Sequence, residues 1–364
     1  MSLIACTLCG KPYPPIGTPF RCECGGIYDY AEFPAYDATN IDPHERSLWK
    51  YRAMLGLSMD DEPVTLGEGS TPLVELEYGS DKIHLKLEYQ NPTASYKDRG
   101  TAVLTSFLRS RGVQAAVEDS SGNAGASFAA YAARAGLQAK VFVPESASGP
   151  KRIQIEAYGA ELVRIPGPRA KAAEAVLAEA NQGAAYASHA FMPFGLTGIA
   201  TIAYEISEQM NEMPGTIAAP VGHGGLLYGI MQGFQALTTA NKIEHEPYYL
   251  GVQSAACEPV ASAFRDESDT VEAIVAGETI AEGVKVSEPA RGNAILAHLR
   301  ATRGKIVDVD EGRLVRAYHD IARLGFFVEP TSALVYAAME SEWSNLPKPV
   351  VLILTGSGAK TNSI

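Results

Sequence analysis

From about residue 64 the chain alternates short β-rich runs with Ala-rich helical stretches, and this alternation narrows the folds open to it. Runs of strand character fall at Ile83–Leu87, Ala115–Glu118, Lys140–Val143, Glu161–Ile165, Ile217–Val221, Tyr249–Gln253 and Val350–Leu354. Helical periodicity marks Ala124–Ala135, Ala170–Ala180, Thr201–Met210 and Gly229–Leu237 between them. Strands that alternate with helices form parallel sheets covered on both faces. Ligands of such sheets lie beyond the C-terminal ends of strands, where the chain turns on glycine. A length of 364 residues accommodates two packed domains and an appendage.

Three turns fit that placement, and a fourth segment carries a lone lysine. Pro92-Thr93-Ala94-Ser95-Tyr96-Lys97-Asp98-Arg99-Gly100 holds a lone lysine in a small-residue loop, and Val103, Leu104, Phe107 and Leu108 recur behind it at helical spacing. Lys97 is thus predicted at or just before a helix N-terminus, where the helix dipole disfavours a second cation. An amine whose charge is disfavoured is available as a nucleophile. Taken alone, the pattern describes a surface lysine at a helix start, and the other three segments are what turn the reading toward chemistry. Ser120-Ser121-Gly122-Asn123-Ala124-Gly125 joins a strand run to a helix ending at Gly136. Its small residues let a ligand approach, and free N–H groups there suit a carboxylate or phosphate. A capped strand-to-helix turn has the same composition. Val221-Gly222-His223-Gly224-Gly225-Leu226 is a second such turn, able to form a nest of N–H groups around a phosphate. In Leu354-Thr355-Gly356-Ser357-Gly358, Thr355 places a hydroxyl at the end of a buried strand.

The head of the chain reads differently. Cys6-Thr-Leu-Cys9 and Cys22-Glu-Cys24-Gly-Gly form two knuckle-like pairs. Four thiolates converging from two turns suit a structural zinc, with four reduced thiols as the plain alternative. Four cysteines leave no open position for catalysis. Cys257 stands apart and suits packing. The formal net charge of −12 argues against a nucleic-acid surface. No run of about 18 apolar residues is present to span a membrane. The N-terminus lacks a basic region followed by an apolar core, so a cytoplasmic location is expected.

In this order the four segments resemble the fold-type II pyridoxal-phosphate enzymes, the tryptophan synthase β family, and within it threonine synthase and its relatives. The likeness extends to Tyr131-Ala132-Ala133-Arg134-Ala135-Gly136 and Glu329-Pro330-Thr331-Ser332-Ala333, and the cysteine head also occurs in some threonine synthases. It implies two three-layer α/β domains with mostly parallel sheets and a small zinc-ribbon-like head. The corresponding boundaries are 1–30 for the head, 31–100 with 201–364 for a large cofactor-binding domain, and 101–200 for a small substrate-side domain.

The resemblance also implies roles. Lys97 would hold pyridoxal 5'-phosphate covalently and move protons once substrate releases it. Asn123 would hydrogen-bond the phenolic oxygen, and the N–H groups of Gly222, His223, Gly224, Gly225 and Leu226 would hold the phosphate. Thr355 would meet the pyridine nitrogen, a hydroxyl there suiting elimination and replacement rather than transamination. Ser120, Ser121, Gly122 and Ala124 would receive the α-carboxylate of an amino-acid substrate. Cys6, Cys9, Cys22 and Cys24 would hold zinc, and relatives of this kind are commonly homodimers.

One stretch departs from the pattern. Threonine synthases acting on O-phosphohomoserine typically carry an Asn-Pro-x-Arg-Ile-Glu-Gly-Gln-Lys-Thr-like run. Here Met192, Gly195 and Ala200 stand at its Asn, Arg and Lys positions. A dianionic phosphate needs charge-assisted donors. Arg99, Lys151, Arg152, Lys285 and Arg291 are the basic residues available to replace them. Glu282, in Ala281-Glu282-Gly283-Val284, suits either a ring-positioning role or an ordinary loop. The expected activity is a threonine synthase-type lyase. The alternatives are β-elimination from serine or threonine, and an inactive zinc-ribbon binding protein.

Overall fold

The computed structural model describes residues 3–147 and 149–361. The head contains β1 (Ile4–Cys6) and β2 (Tyr28–Tyr30), paired antiparallel. A hairpin of β3 (Leu73–Tyr78) and β4 (Asp81–Lys86) follows, then α1 (Lys97–Ser110), β5 (Ala115–Glu118) and α2 (Asn123–Ala135). Next come β6 (Gln138–Pro144), α3 (Pro150–Ala157), β7 (Glu161–Ile165), α4 (Arg169–Asn181), β8 (Ala185–Tyr186) and α5 (Gly195–Gln209). The remainder runs β9 (Thr216–Pro220), α6 (Gly225–Thr239), β10 (Tyr248–Ser254), α7 (Pro259–Arg265) and α8 (Gly292–Thr302). It closes with β11 (Lys305–Val309), α9 (Glu311–Arg323), α10 (Pro330–Glu342) and β12 (Val350–Ile353).

The chain packs as two compact units, Met1–Gly69 with Asn91–Gly198 and Ser70–Gln90 with Ile199–Ile364. Residues 31–69 and 91–100 thus join 101–198, not 201–364 as the sequence suggested. The reason is apolar: Leu48, Trp49, Leu55 and Val64 pack with Ala102 and Val103 of α1 and with Ala130 and Tyr131 of α2.

The first unit holds a parallel sheet of order β7-β6-β5-β8. The second holds a sheet of order β11-β10-β9-β12-β4-β3, parallel except for the β3–β4 pair. Its central strands β9 and β12 are buried throughout, as continuous apolar runs in a doubly covered sheet should be. All seven strand runs of the alternation are realised as β4–β7, β9, β10 and β12. The two strands it passes over in this sheet, β3 and β11, are its edges. Edge strands carry charged residues that blunt further pairing, so their apolar signal is weak. Among the described residues no helix is long and apolar enough to cross a membrane.

Candidate active site

Lys97 is the first residue of α1 and half-buried, with its Nζ 4.8 Å from the centroid of the Tyr96 ring. The loop before it is tied down by Asp98, which is fully buried. Asp98 Oδ2 accepts from Thr93 N at 2.6 Å, and Oδ1 accepts from Thr93 Oγ1 at 2.5 Å and Ser127 Oγ at 2.6 Å. One carboxylate thereby fixes Lys97 against α2. Ala94 in the same loop has φ +64, a left-handed conformation unusual for a residue with a Cβ.

The Ser120–Gly125 segment leaves the C-terminal end of β5 and enters α2 with Gly122 as the N-cap. Ser120 Oγ accepts from Gly122 N at 3.2 Å, which curls the loop so that the amides of α2's first turn face outward. Gly125 is obligatory, because a Cβ there would stand 1.8 Å from Ser120 O. Ser120, Ser121, Gly122, Asn123 and Ala124 thus share one helix N-terminus in the first unit, as expected from the sequence.

In the second unit, Gly222–Gly224 link β9 to α6. Gly224 caps α6 at φ +96, and a Cβ there would meet Ile295 Cδ1 at 2.8 Å. His223 O accepts from Arg291 N at 3.1 Å, which turns that carbonyl away from the helix start. A Cβ at Gly225 meets nothing within 4 Å, so the start of α6 has open space beside it. This suits a phosphate. Gly283 O lies 2.8 Å from where a Gly222 Cβ would be, which sets the Glu282 loop against the same turn, Glu282 itself being exposed.

Thr355 is 1% exposed and lies just beyond β12. Its Oγ1 is 2.9 Å from Ser332 Oγ, which also accepts from Thr355 N and Gly356 N. Glu329 Oε1 lies 3.4 Å from Thr355 Oγ1. The Glu329-Pro330-Thr331-Ser332 run is therefore the support of the Thr355 hydroxyl, a function its sequence does not announce.

The departing stretch is built for packing. Met192 is 2% exposed, and Phe194 stacks on Phe107 with centroids 3.5 Å apart. A side chain at Gly195 would press on Gly100 O at 3.1 Å. Ala200 is fully buried, and its carbonyl would lie 2.5 Å from a Cβ at Gly233. Of the other basic residues, Arg99 and Arg291 are buried, Arg152 Nη1 donates to Ala147 O and Lys285 pairs with Glu278 at 3.1 Å.

In the head, the four cysteine sulfurs lie within 4.8 Å of one another. Three pairs are 3.4, 3.7 and 3.4 Å apart. A tetrahedron with zinc–sulfur bonds of about 2.3 Å has edges of about 3.8 Å, so the cluster fits zinc. A Cβ at Gly26 would strike Cys6 Sγ at 2.6 Å, so glycine there keeps the cradle open. Burial pushes the Cys6 thiol up, but the backbone N–H groups of Cys9 and Leu8 and the thiols of Cys24 and Cys9 together outweigh it and hold it at about 6.

Comparison with known proteins decides the family. The model of the pyridoxal-phosphate dependent enzymes matches residues 64–356, which include the first three segments and the fourth as far as Gly356. The chain belongs to that family. It is 33% identical to a threonine synthase of Methanocaldococcus jannaschii over 98% of this chain and 92% of that protein. A threonine synthase of Mycobacterium leprae is 32% identical over 88% of this chain and 90% of its own. Among solved structures, a threonine deaminase from T.th. matches at TM-score 0.69 and 28% identity, covering 80% of this chain and 94% of that one. A Rhizomucor miehei L-serine ammonia-lyase matches at TM-score 0.71 and 19% identity, over 83% and 96%, which shows the shared fold. The protein is a threonine synthase-like member of this lyase family, with the fold-type II architecture expected from its sequence.

Proposed function

We propose that the chain is a pyridoxal-phosphate dependent lyase that converts O-phosphohomoserine and water to threonine and phosphate. The observation that carries this is the full-length similarity to threonine synthases, with Lys97 at a helix start. Bound pyridoxal phosphate supplies an electron sink for the electrons of a breaking Cα–H bond. Lys97 holds the cofactor and moves the Cα proton. The amides of Gly222, His223, Gly224, Gly225 and Leu226 bind its phosphate, Asn123 its phenolic oxygen and Thr355 its pyridine nitrogen. Ser120, Ser121, Gly122 and Ala124 receive the substrate carboxylate. Cys6, Cys9, Cys22 and Cys24 hold a structural zinc. A cytoplasmic homodimer acting on small amino acids, without nucleic-acid or membrane partners, accompanies this reading.

The packing of Met192, Gly195 and Ala200 favours a second reading. Apolar or absent side chains there supply no cation for a Cγ phosphate, whereas β-elimination from serine or threonine needs none. The purified protein should show the absorbance band of a lysine-bound cofactor, abolished in Lys97→Ala. Incubation with O-phosphohomoserine should release phosphate and threonine. Keto acid from serine or threonine, with no turnover or spectral response to O-phosphohomoserine, would replace the first reading by the second.

A further inference from the structure

Two side chains at the C-terminal end of the first unit's sheet have no part in the roles above. Glu118 ends β5, and His189 follows β8, the strand paired beside it. His189 Nδ1 lies 2.8 Å from Glu118 Oε1. The glutamate side chain is 1% exposed and the histidine 19%. Glu118 Oε2 is buried and has no hydrogen-bond partner among the described residues. Neighbouring Asp119 is engaged elsewhere, accepting from Tyr186 Oη at 2.8 Å.

A buried carboxylate oxygen without a donor is costly, so that position calls for a proton or a ligand group. Burial, and then Asp119, push the Glu118 carboxyl well above the usual range, while Lys97 at the start of α1 and Arg169 at the start of α4 pull it down. Glu118 therefore lies within the field of Lys97, two residues before Ser120.

We propose that Glu118, oriented by His189, is the acid–base group for the substrate's departing and entering oxygens. This rests on the lyase reading above. As the C–O bond of the leaving group breaks, its oxygen keeps the electron pair and takes the Glu118 proton. As the oxygen of water forms the new C–O bond at Cβ, the carboxylate takes back one proton from that water. The proton that Cβ gives up to Lys97 for the elimination returns to Cγ as water adds at Cβ, so the Glu118–His189 pair is restored and the net change is water for phosphate. His189, by occupying Oε1, leaves Oε2 as the working oxygen, so His189 is a positioning residue. Lys97 serves the carbon atoms and Glu118 the oxygens, and the two sets of proton transfers should be separable.

The test uses cofactor-loaded wild type, Glu118→Gln and His189→Gln, with whichever of O-phosphohomoserine or serine the wild type turns over. The readouts are the cofactor absorbance band, exchange of the substrate α-hydrogen for deuterium by NMR, and product formation against pH. Glu118→Gln should keep the band and the exchange within about twofold, while product formation falls about 10²–10⁴-fold. His189→Gln should lose less and shift the pH profile of kcat. Unchanged product formation in Glu118→Gln, or loss of exchange and product together, overturns the assignment. Should Glu118→Gln fail to fold, an unaltered rate and pH profile in His189→Gln overturns it. A wild type with neither band nor exchange instead defeats the lyase reading itself.

Discussion

A methyl group at Gly125 should disable the Ser120–Gly125 loop, proposed above to receive the substrate carboxylate, without touching any polar side chain. The added Cβ would stand 1.8 Å from Ser120 O, 2.9 Å from Ser120 C and 3.2 Å from Ile155 Cδ1. Contacts under 3.0 Å are essentially never tolerated, so the two backbone segments must part by about 1.2 Å. Neither gives easily, because Ala126 N donates to Gly122 O at 3.1 Å and Gly122 N to Ser120 Oγ at 3.2 Å. Overpacking of this kind costs about 1–3 kcal/mol. Misplacing binding groups by about 1 Å costs about 100-fold in rate. Gly125→Ala should therefore lower the thermal midpoint and reduce kcat/KM about 100-fold. Gly122→Ala is the steric comparison: the nearest atom to its new Cβ, Ser120 Oγ, is 3.6 Å away, and its thermal midpoint should hold. A Gly125→Ala protein with wild-type midpoint and kcat/KM would refute the reasoning.

Three further outcomes follow from local geometry. Ala94→Gly removes a left-handed alanine at φ +64, and relief of about 1–2 kcal/mol less the entropy of glycine leaves a net gain of about 0.5–1 kcal/mol, read as a raised unfolding midpoint. Lys86 Nζ lies 2.6 Å from Glu205 Oε2, both side chains nearly fully buried, so Lys86→Met strands a carboxylate and should cost about 3–5 kcal/mol in denaturant unfolding, with Lys86→Met/Glu205→Leu recovering most of it. Elemental analysis should find one zinc per chain, lost in Cys24→Ser; because zinc holds its ligands as thiolates and protons compete for them, a chelator should strip the metal faster at acidic than at neutral pH.

Much of this architecture was legible from local pattern. Apolar runs gave the central strands because a doubly covered sheet demands them, and Lys97 fell at the start of α1 because the periodic residues behind it begin there. Edge strands β3 and β11 were not legible, since their burial is partial and their charges break the run. The unit boundary was not legible either. It depends on Leu48 and Val64 finding α1 and α2, and apolar residues carry no address.

The sequence by itself determined the family, the alternation of strands and helices, and the places where backbone amides gather at helix starts. These are properties of neighbouring residues, set by spacing and by glycine. Only the tertiary structure decided which distant side chains meet. Asp98 reaches Ser127 across 29 residues, Ser332 reaches Thr355 across 23, and His189 reaches Glu118 across 71. Burial fixes those pairings: a polar group removed from water is costly without a partner, and for these atoms the fold brings one from a distant part of the chain.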